Sequence, residues 1–111
     1  MLLFIFPKLI RQYKSKKYPF CCDFYDPQSN TYFEFNGLWT HGGHWFDPLN
    51  EKDVEKLNLW KSKNSDYYNI AINVWTKSDV LKHQTAINNH LNYVVFWTLK
   101  DVKQYIISYF K

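Results

Sequence analysis

Only three glycines and four prolines punctuate the 111 residues, too few for a collagen-like repeat or a flexible low-complexity chain. Cysteine is just as scarce. Cys21 and Cys22 are adjacent, which fits neither a disulfide framework nor a CxxC zinc or redox motif. A reduced, intracellular protein is expected, with a cytoplasmic location. No run approaches the roughly 20 apolar residues of a membrane span. The segment Met1-Leu2-Leu3-Phe4-Ile5-Phe6 resembles a short signal-peptide core, but no cationic stretch precedes it and Pro7 ends it early. Acidic residues are missing altogether from residues 1–18, which nevertheless carry Lys8, Arg11, Lys14, Lys16 and Lys17.

What the chain has in quantity is aromatic and apolar side chains, 21% and 46% of residues, enough for the single core of one small domain spanning 1–111. The net charge of +4 permits a polyanionic partner without demanding one. The basic N-terminal run reads either as a solvated helix end or as a phosphate-contacting arm. Pro19 ends it, because the residue before proline avoids the helical region.

The next segment organises the rest. Phe20 to Tyr25, a turn over Asp26-Pro27-Gln28-Ser29-Asn30, and Thr31 to Asn36 read as a hairpin. If Asp26 pairs with Thr31 around a four-residue loop, paired positions sum to 57 and Asp23 lies opposite Glu34. Alternation then puts Cys21, Asp23, Tyr25, Tyr32, Glu34 and Asn36 on one face. Phe20, Cys22, Phe24, Phe33 and Phe35 turn to the core. Opposed like charges destabilise a sheet, so a cation or a proton is expected to relieve the pair. A three-residue loop would shift the register by one and leave two ordinary surface acids.

After Gly37 comes a loop, Leu38 to Pro48, short of helix formers and carrying His41, Gly42, Gly43 and His44. A helix is expected from about Asn50 to Lys63, with Val54, Leu57 and Trp60 on its inner face. Residues 66–75 fit a strand or a helix, with helix preferred. Ser78 is expected to cap a helix through Leu91 that aligns Val80, Gln84, Ile87 and Leu91. Asn92 to Trp97 is the clearest strand, and Thr98 caps a last helix with Val102, Tyr105, Ile106 and Tyr109 inward. The expected class is α/β or α+β, a small mixed sheet flanked by helices.

Two opposed carboxylates can act as a general acid/base pair or as oxygen ligands of a hard cation. Mg²⁺ suits them better than sugar chemistry, because it takes one or two carboxylates, keeps waters and accepts a substrate phosphate. Asn36 can orient a phosphate or a water but cannot act as a base. His41 or His44 can supply a general base or a transition-state contact. His83 and His90 read as structural. Lys14, Lys16, Lys17, Lys61, Lys63, Lys77 and Lys82 are candidates for contacts to a DNA backbone, though each alone is also an ordinary surface charge.

The run Asp23-Phe24-Tyr25, the turn, Glu34-Phe35-Asn36-Gly37 and the histidine loop after it resemble the PD-(D/E)xK nuclease superfamily. The branch most similar is that of very-short-patch repair and phage homing endonucleases. Lys82, Ala86, Asn89 and the strand Asn92 to Trp97 resemble the helix and strand that complete that core, so the likeness spans roughly residues 18–108. It implies a restriction-endonuclease-like core with a four-stranded mixed sheet, and DNA phosphodiester hydrolysis by an enzyme of phage or mobile-element origin. Asp23 and Glu34 would hold Mg²⁺, for which Mn²⁺ can substitute. Two departures stand out. Asn36 occupies the place of the family lysine, with a histidine further on as in the related branch, and residues 1–18 lack the acid often found in the first helix, as if that helix were abbreviated. A chain of this size makes one cut, so a double-strand break implies a homodimer or two visits. The rival readings are a catalytically inactive nucleic-acid-binding module of the same fold, and an interaction protein whose aromatics meet a partner.

Overall fold

The computed structural model describes residues 6–37 and 41–109. The expectations for Met1 to Ile5 and for Leu38, Trp39 and Thr40 lie outside the described residues. A four-stranded sheet runs in the order β1 (Ile10–Tyr13), β2 (Cys22–Asp26), β3 (Thr31–Phe35), β4 (Asn92–Phe96). β1 and β2 pair antiparallel, as do β2 and β3, while β3 and β4 are parallel. The class is mixed α and β, as expected.

The hairpin register is the one read from the turn. Asp26 pairs with Thr31, Tyr25 with Tyr32 and Phe24 with Phe33. The turn holds because Asp26 Oδ2 accepts both the Ser29 amide and the Ser29 hydroxyl, an Asx-type closure, while Asn30 takes the left-handed conformation (φ 53°).

The parallel β3–β4 pair needs a long crossover, and residues between them build a helical layer. α1 (Glu51–Lys63) starts where the Asn50 side chain accepts the Lys52 and Asp53 amides. α2 (Asp66–Asn73) starts on the Ser65 hydroxyl, which accepts the Tyr68 amide. A five-residue π-helical turn, Val74–Ser78, then runs directly into α3 (Asp79–Asn88). Trp60, Ala71 and Trp75 form the core between α1 and α2. The last helix, α4 (Leu99–Tyr109), is held by a reciprocal cap: Asp101 accepts the Trp97 and Thr98 amides, and the Thr98 hydroxyl accepts the Asp101 amide. Among the described residues, no helix is long and apolar enough to cross a membrane.

Three expectations are corrected. Among the described residues, the N-terminal segment from Phe6 to Tyr18 holds no helix. Ile10 to Tyr13 pairs with β2 as an edge strand, so strand pairing overrides the weak helical preference of Arg11 and Gln12. Ser78 does not cap α3. It has helical angles (φ −62°, ψ −48°) inside a continuous helix, and its side chain makes no cap bond. The aligned Val80, Gln84 and Ile87 are exposed, and the face turned inward instead carries Asp79, Lys82, His83 and Ala86.

The hairpin faces also differ in detail. α4 covers Phe24, Phe33, Val94 and Phe96 through Val102, Tyr105 and Ile106. The opposite face is not open: Tyr18, Cys22, Tyr32 and Ala86 make a second core there, with Phe20 and Tyr93 against it. Phe20 and Cys22 therefore belong to the tyrosine side, and Phe35 is 45% exposed at the end of β3. β3 is buried on both faces, as a central strand with parallel pairing usually is.

Candidate functional site at the open end of the hairpin

The two carboxylates lie at the end of the hairpin away from its turn. Continuing the register past Phe24 and Phe33 sets Asp23 against Glu34, and there side chains take over from the ladder. Glu34 Oε1 accepts the Asp23 amide at 2.9 Å, and Asp23 Oδ2 accepts the Phe35 amide at 2.8 Å. Each acid is thus clamped by a backbone N–H of the facing strand, which offsets part of the like-charge penalty.

Glu34 is only 3% exposed, and a buried carboxylate needs further donors. The Tyr18 hydroxyl donates to Oε2 at 2.6 Å and bonds the Tyr93 hydroxyl at 2.9 Å. Burial, followed by the bond to Glu34, holds the Tyr18 phenol far above its usual range, so it stays a donor. Burial likewise pushes Tyr93 up. The positive charge comes from α3, where Lys82 Nζ lies 3.6 Å from Glu34 Oε2. Its side chain is partly buried, at 28% exposure. Lys82, assigned from the sequence to the DNA backbone, therefore stands beside the Glu34 carboxylate.

The histidines separate into two roles. His41 Nδ1 bonds Asp79 Oδ2 at 2.6 Å, and Asp79 is 2% exposed. If the Nδ1 proton faces the carboxylate, Nε2 is left as a base with a fixed ring orientation. His41, Asp79 and Lys82 line one pocket of about 350 Å³. His44 is elsewhere. Its Nε2 bonds the buried Asp53 on α1 at 2.6 Å, and its carbonyl accepts the Trp75 indole N–H at 2.9 Å. His44 thus anchors the loop, which Gly42 allows by lying flat on Trp75: a Cβ there would sit 2.2 Å from the indole. Trp45 extends the anchoring by stacking on His83 at 3.9 Å.

Asn36 follows β3 directly, with its amide bonded to the Phe96 carbonyl, and is half-buried. Lys14, Lys16, Lys17, Lys61, Lys63 and Lys77 are exposed, and none forms an ion pair with a described residue. The structure therefore brings together Asp23, Glu34 and Lys82, with His41 across the shared pocket, and leaves His44 and the six other lysines apart.

Sequence reasoning missed Tyr18, Tyr93, Asp53 and Asp79. The two aspartates open helices, where a first-turn acid already has an ordinary explanation in the helix dipole. Tyr18 carried no signal beyond its place before Pro19.

A divalent cation can be weighed against this donor set. No described residue donates to Asp23 Oδ1, so one hard oxygen is free, whereas the Lys82 ammonium beside Glu34 Oε2 already offsets part of the negative charge a cation would meet. Among the described residues, no third acid, histidine or thiol joins the pair in a metal-holding group. Glu34 is buried and both of its oxygens are already bonded, so a hard cation such as Mg²⁺ would meet Asp23 Oδ1 first and would compete with Tyr18 and Lys82 for Glu34. Compared with known proteins, the chain matches no family model, no curated protein and no solved structure.

Proposed function

We propose that the protein is a metal-dependent endodeoxyribonuclease with a restriction-endonuclease-like, PD-(D/E)xK-type core. The observation that carries this reading is the convergence of Asp23, Glu34 and Lys82 at one end of the central hairpin. Asp23 and Glu34 would hold Mg²⁺, or Mn²⁺ in its place. When bound, such an ion polarises a phosphoryl oxygen and lowers the pKa of a coordinated water. Lys82 meets the negative charge that develops on the phosphate. His41, oriented by Asp79, accepts the proton of the attacking water. Asn36 orients the phosphate or the water, and the Tyr18 hydroxyl holds the Glu34 side chain in place. The exposed lysines give the DNA backbone a sequence-independent hold.

The test is cleavage of supercoiled plasmid with Mg²⁺ and with EDTA. Cleavage is expected only with the metal, with losses of at least about a hundredfold in Glu34→Gln and Asp23→Asn and of a similar order in Lys82→Met. A folded Glu34→Gln protein that cuts as fast as the wild type refutes the catalytic reading. Salt-sensitive DNA binding without any cleavage would instead identify an inactive binding module of the same fold.

A further inference from the structure

We infer that the pocket beside the acids receives the base of an unpaired nucleotide, which makes single-stranded DNA, rather than continuous duplex, the preferred substrate. The inference rests on the phosphodiester reading of Asp23 and Glu34 for the position of the phosphate. The pocket itself supplies the rest. Its volume is about 350 Å³, at the small end of ligand sites and of the scale of one nucleoside. Phe20, Ile70, Val74 and Leu81 form apolar walls, while Lys82 and His41 bring cationic and hydrogen-bonding groups to the same space. That division, an apolar slot with a basic group at one side, matches the two halves of a nucleotide.

Two observations point to an occupant rather than to ordinary packing. Ile70 is 62% and Leu81 57% exposed, so two large aliphatic side chains at the rim are left in water by the folded chain. Lys82 also faces both ways, lining the pocket and standing 3.6 Å from Glu34, so a base in the slot lies one group away from the proposed scissile phosphate. Phe20 is held as a platform by its edge contact with Tyr18, at 5.0 Å between centroids. The chain leading into it carries the exposed Lys14, Lys16 and Lys17. A basic track that ends on an aromatic platform is how single strands are bound without sequence preference. A base still stacked and paired in a duplex cannot enter such a slot until it is extruded, which penalises continuous duplex.

The test uses the full chain in EDTA at low salt, with a 20-nucleotide single strand carrying one 2-aminopurine and with the same strand annealed to its complement. Wild type is expected to bind the single strand about tenfold more tightly, with 2-aminopurine emission rising as the base leaves its neighbours. Phe20→Ala removes the platform. Ile70→Trp, at an exposed helical position that tolerates substitution, fills the slot. Both should bring the affinity ratio close to one and abolish the emission change, with circular dichroism confirming the fold. Equal affinity for the two DNA forms in wild type, or a preference that survives in Ile70→Trp, overturns the pocket assignment whether or not plasmid is cut. Preference and emission change without Mg²⁺-dependent cleavage of either form would support the pocket and defeat the nuclease reading alone.

Discussion

Replacing Tyr18 with phenylalanine removes a single oxygen, and its effects on stability and on metal response should run in opposite directions. The Tyr18 hydroxyl donates to the buried Glu34 carboxylate at 2.6 Å and bonds the Tyr93 hydroxyl at 2.9 Å. A hydrogen bond to a charged group contributes about 1.5–3 kcal/mol, and a neutral one about 1 kcal/mol. Glu34 keeps the Asp23 amide and the Lys82 ammonium, which limits the damage, so the expected loss is about 2–3 kcal/mol. Urea unfolding followed by far-ultraviolet circular dichroism should therefore show a lower midpoint with an unchanged slope. Mg²⁺ should then stabilise the variant by more than it stabilises wild type, because Oε2 has lost a competing donor and binding at free Mg²⁺ concentration c adds stability as RT ln(1 + c/Kd), which grows as Kd falls. A loss below about 0.5 kcal/mol would show that Glu34 does not depend on Tyr18. A weaker Mg²⁺ response in the variant would show that Tyr18 helps the cation instead of competing with it.

Three further outcomes are expected. Gly42→Ala forces a side chain into the Trp75 ring at a positive φ of 71° and should cost about 2–3 kcal/mol, measured by urea titration of tryptophan fluorescence. Native protein should react with a thiol reagent once, at the exposed Cys21. Cys22 is buried and its pKa is pushed up to about 12 by burial, so it should react only after unfolding, and two fast thiols would contradict its placement. Burial against Trp45 lowers the His83 pKa, so the unfolded chain binds the extra proton more readily; the stabilising contribution is complete above the unfolded value of 6.5 and is lost as pH falls below it. His83→Phe should flatten that part of the stability profile, and an unchanged profile would assign the acid sensitivity to other groups.

The parts of the fold that sequence exposes are those determined locally. Asp26 and Asn30 belong to a turn whose chemistry sets the register, so the pairing of Asp26 with Thr31 and the approach of Asp23 to Glu34 follow from neighbours in the chain. Asn50 and Thr98 mark helix starts for the same reason. β1 was hidden because Ile10 to Tyr13 is exposed and becomes a strand only by leaning on β2. The inward face of α3 was hidden for a different reason. Its charged and polar residues look like a solvent face until the sheet supplies Glu34 and the loop supplies His41, 48 and 38 residues away from Lys82 and Asp79 in the chain. A helix that serves a polar site inverts the hydrophobic pattern by which buried faces are normally recognised.

The wide turn at Val74–Ser78 acts as a phase shifter between two cores. In it the Asp79 amide reaches back five residues to the Val74 carbonyl, which amounts to one residue more than an α-helical turn holds. That surplus rotates everything downstream by about 100° relative to a regular helix. At the start of the turn, Trp75 is seated against Trp60 and Phe46; downstream, Asp79 and Lys82 meet His41 and Glu34. A shorter, regular helix could keep one seating but not both, since deleting Thr76 would swing either the tryptophan or the lysine off its partner. The Lys82–Glu34 contact thus depends on a count of backbone residues as much as on the identity of any side chain.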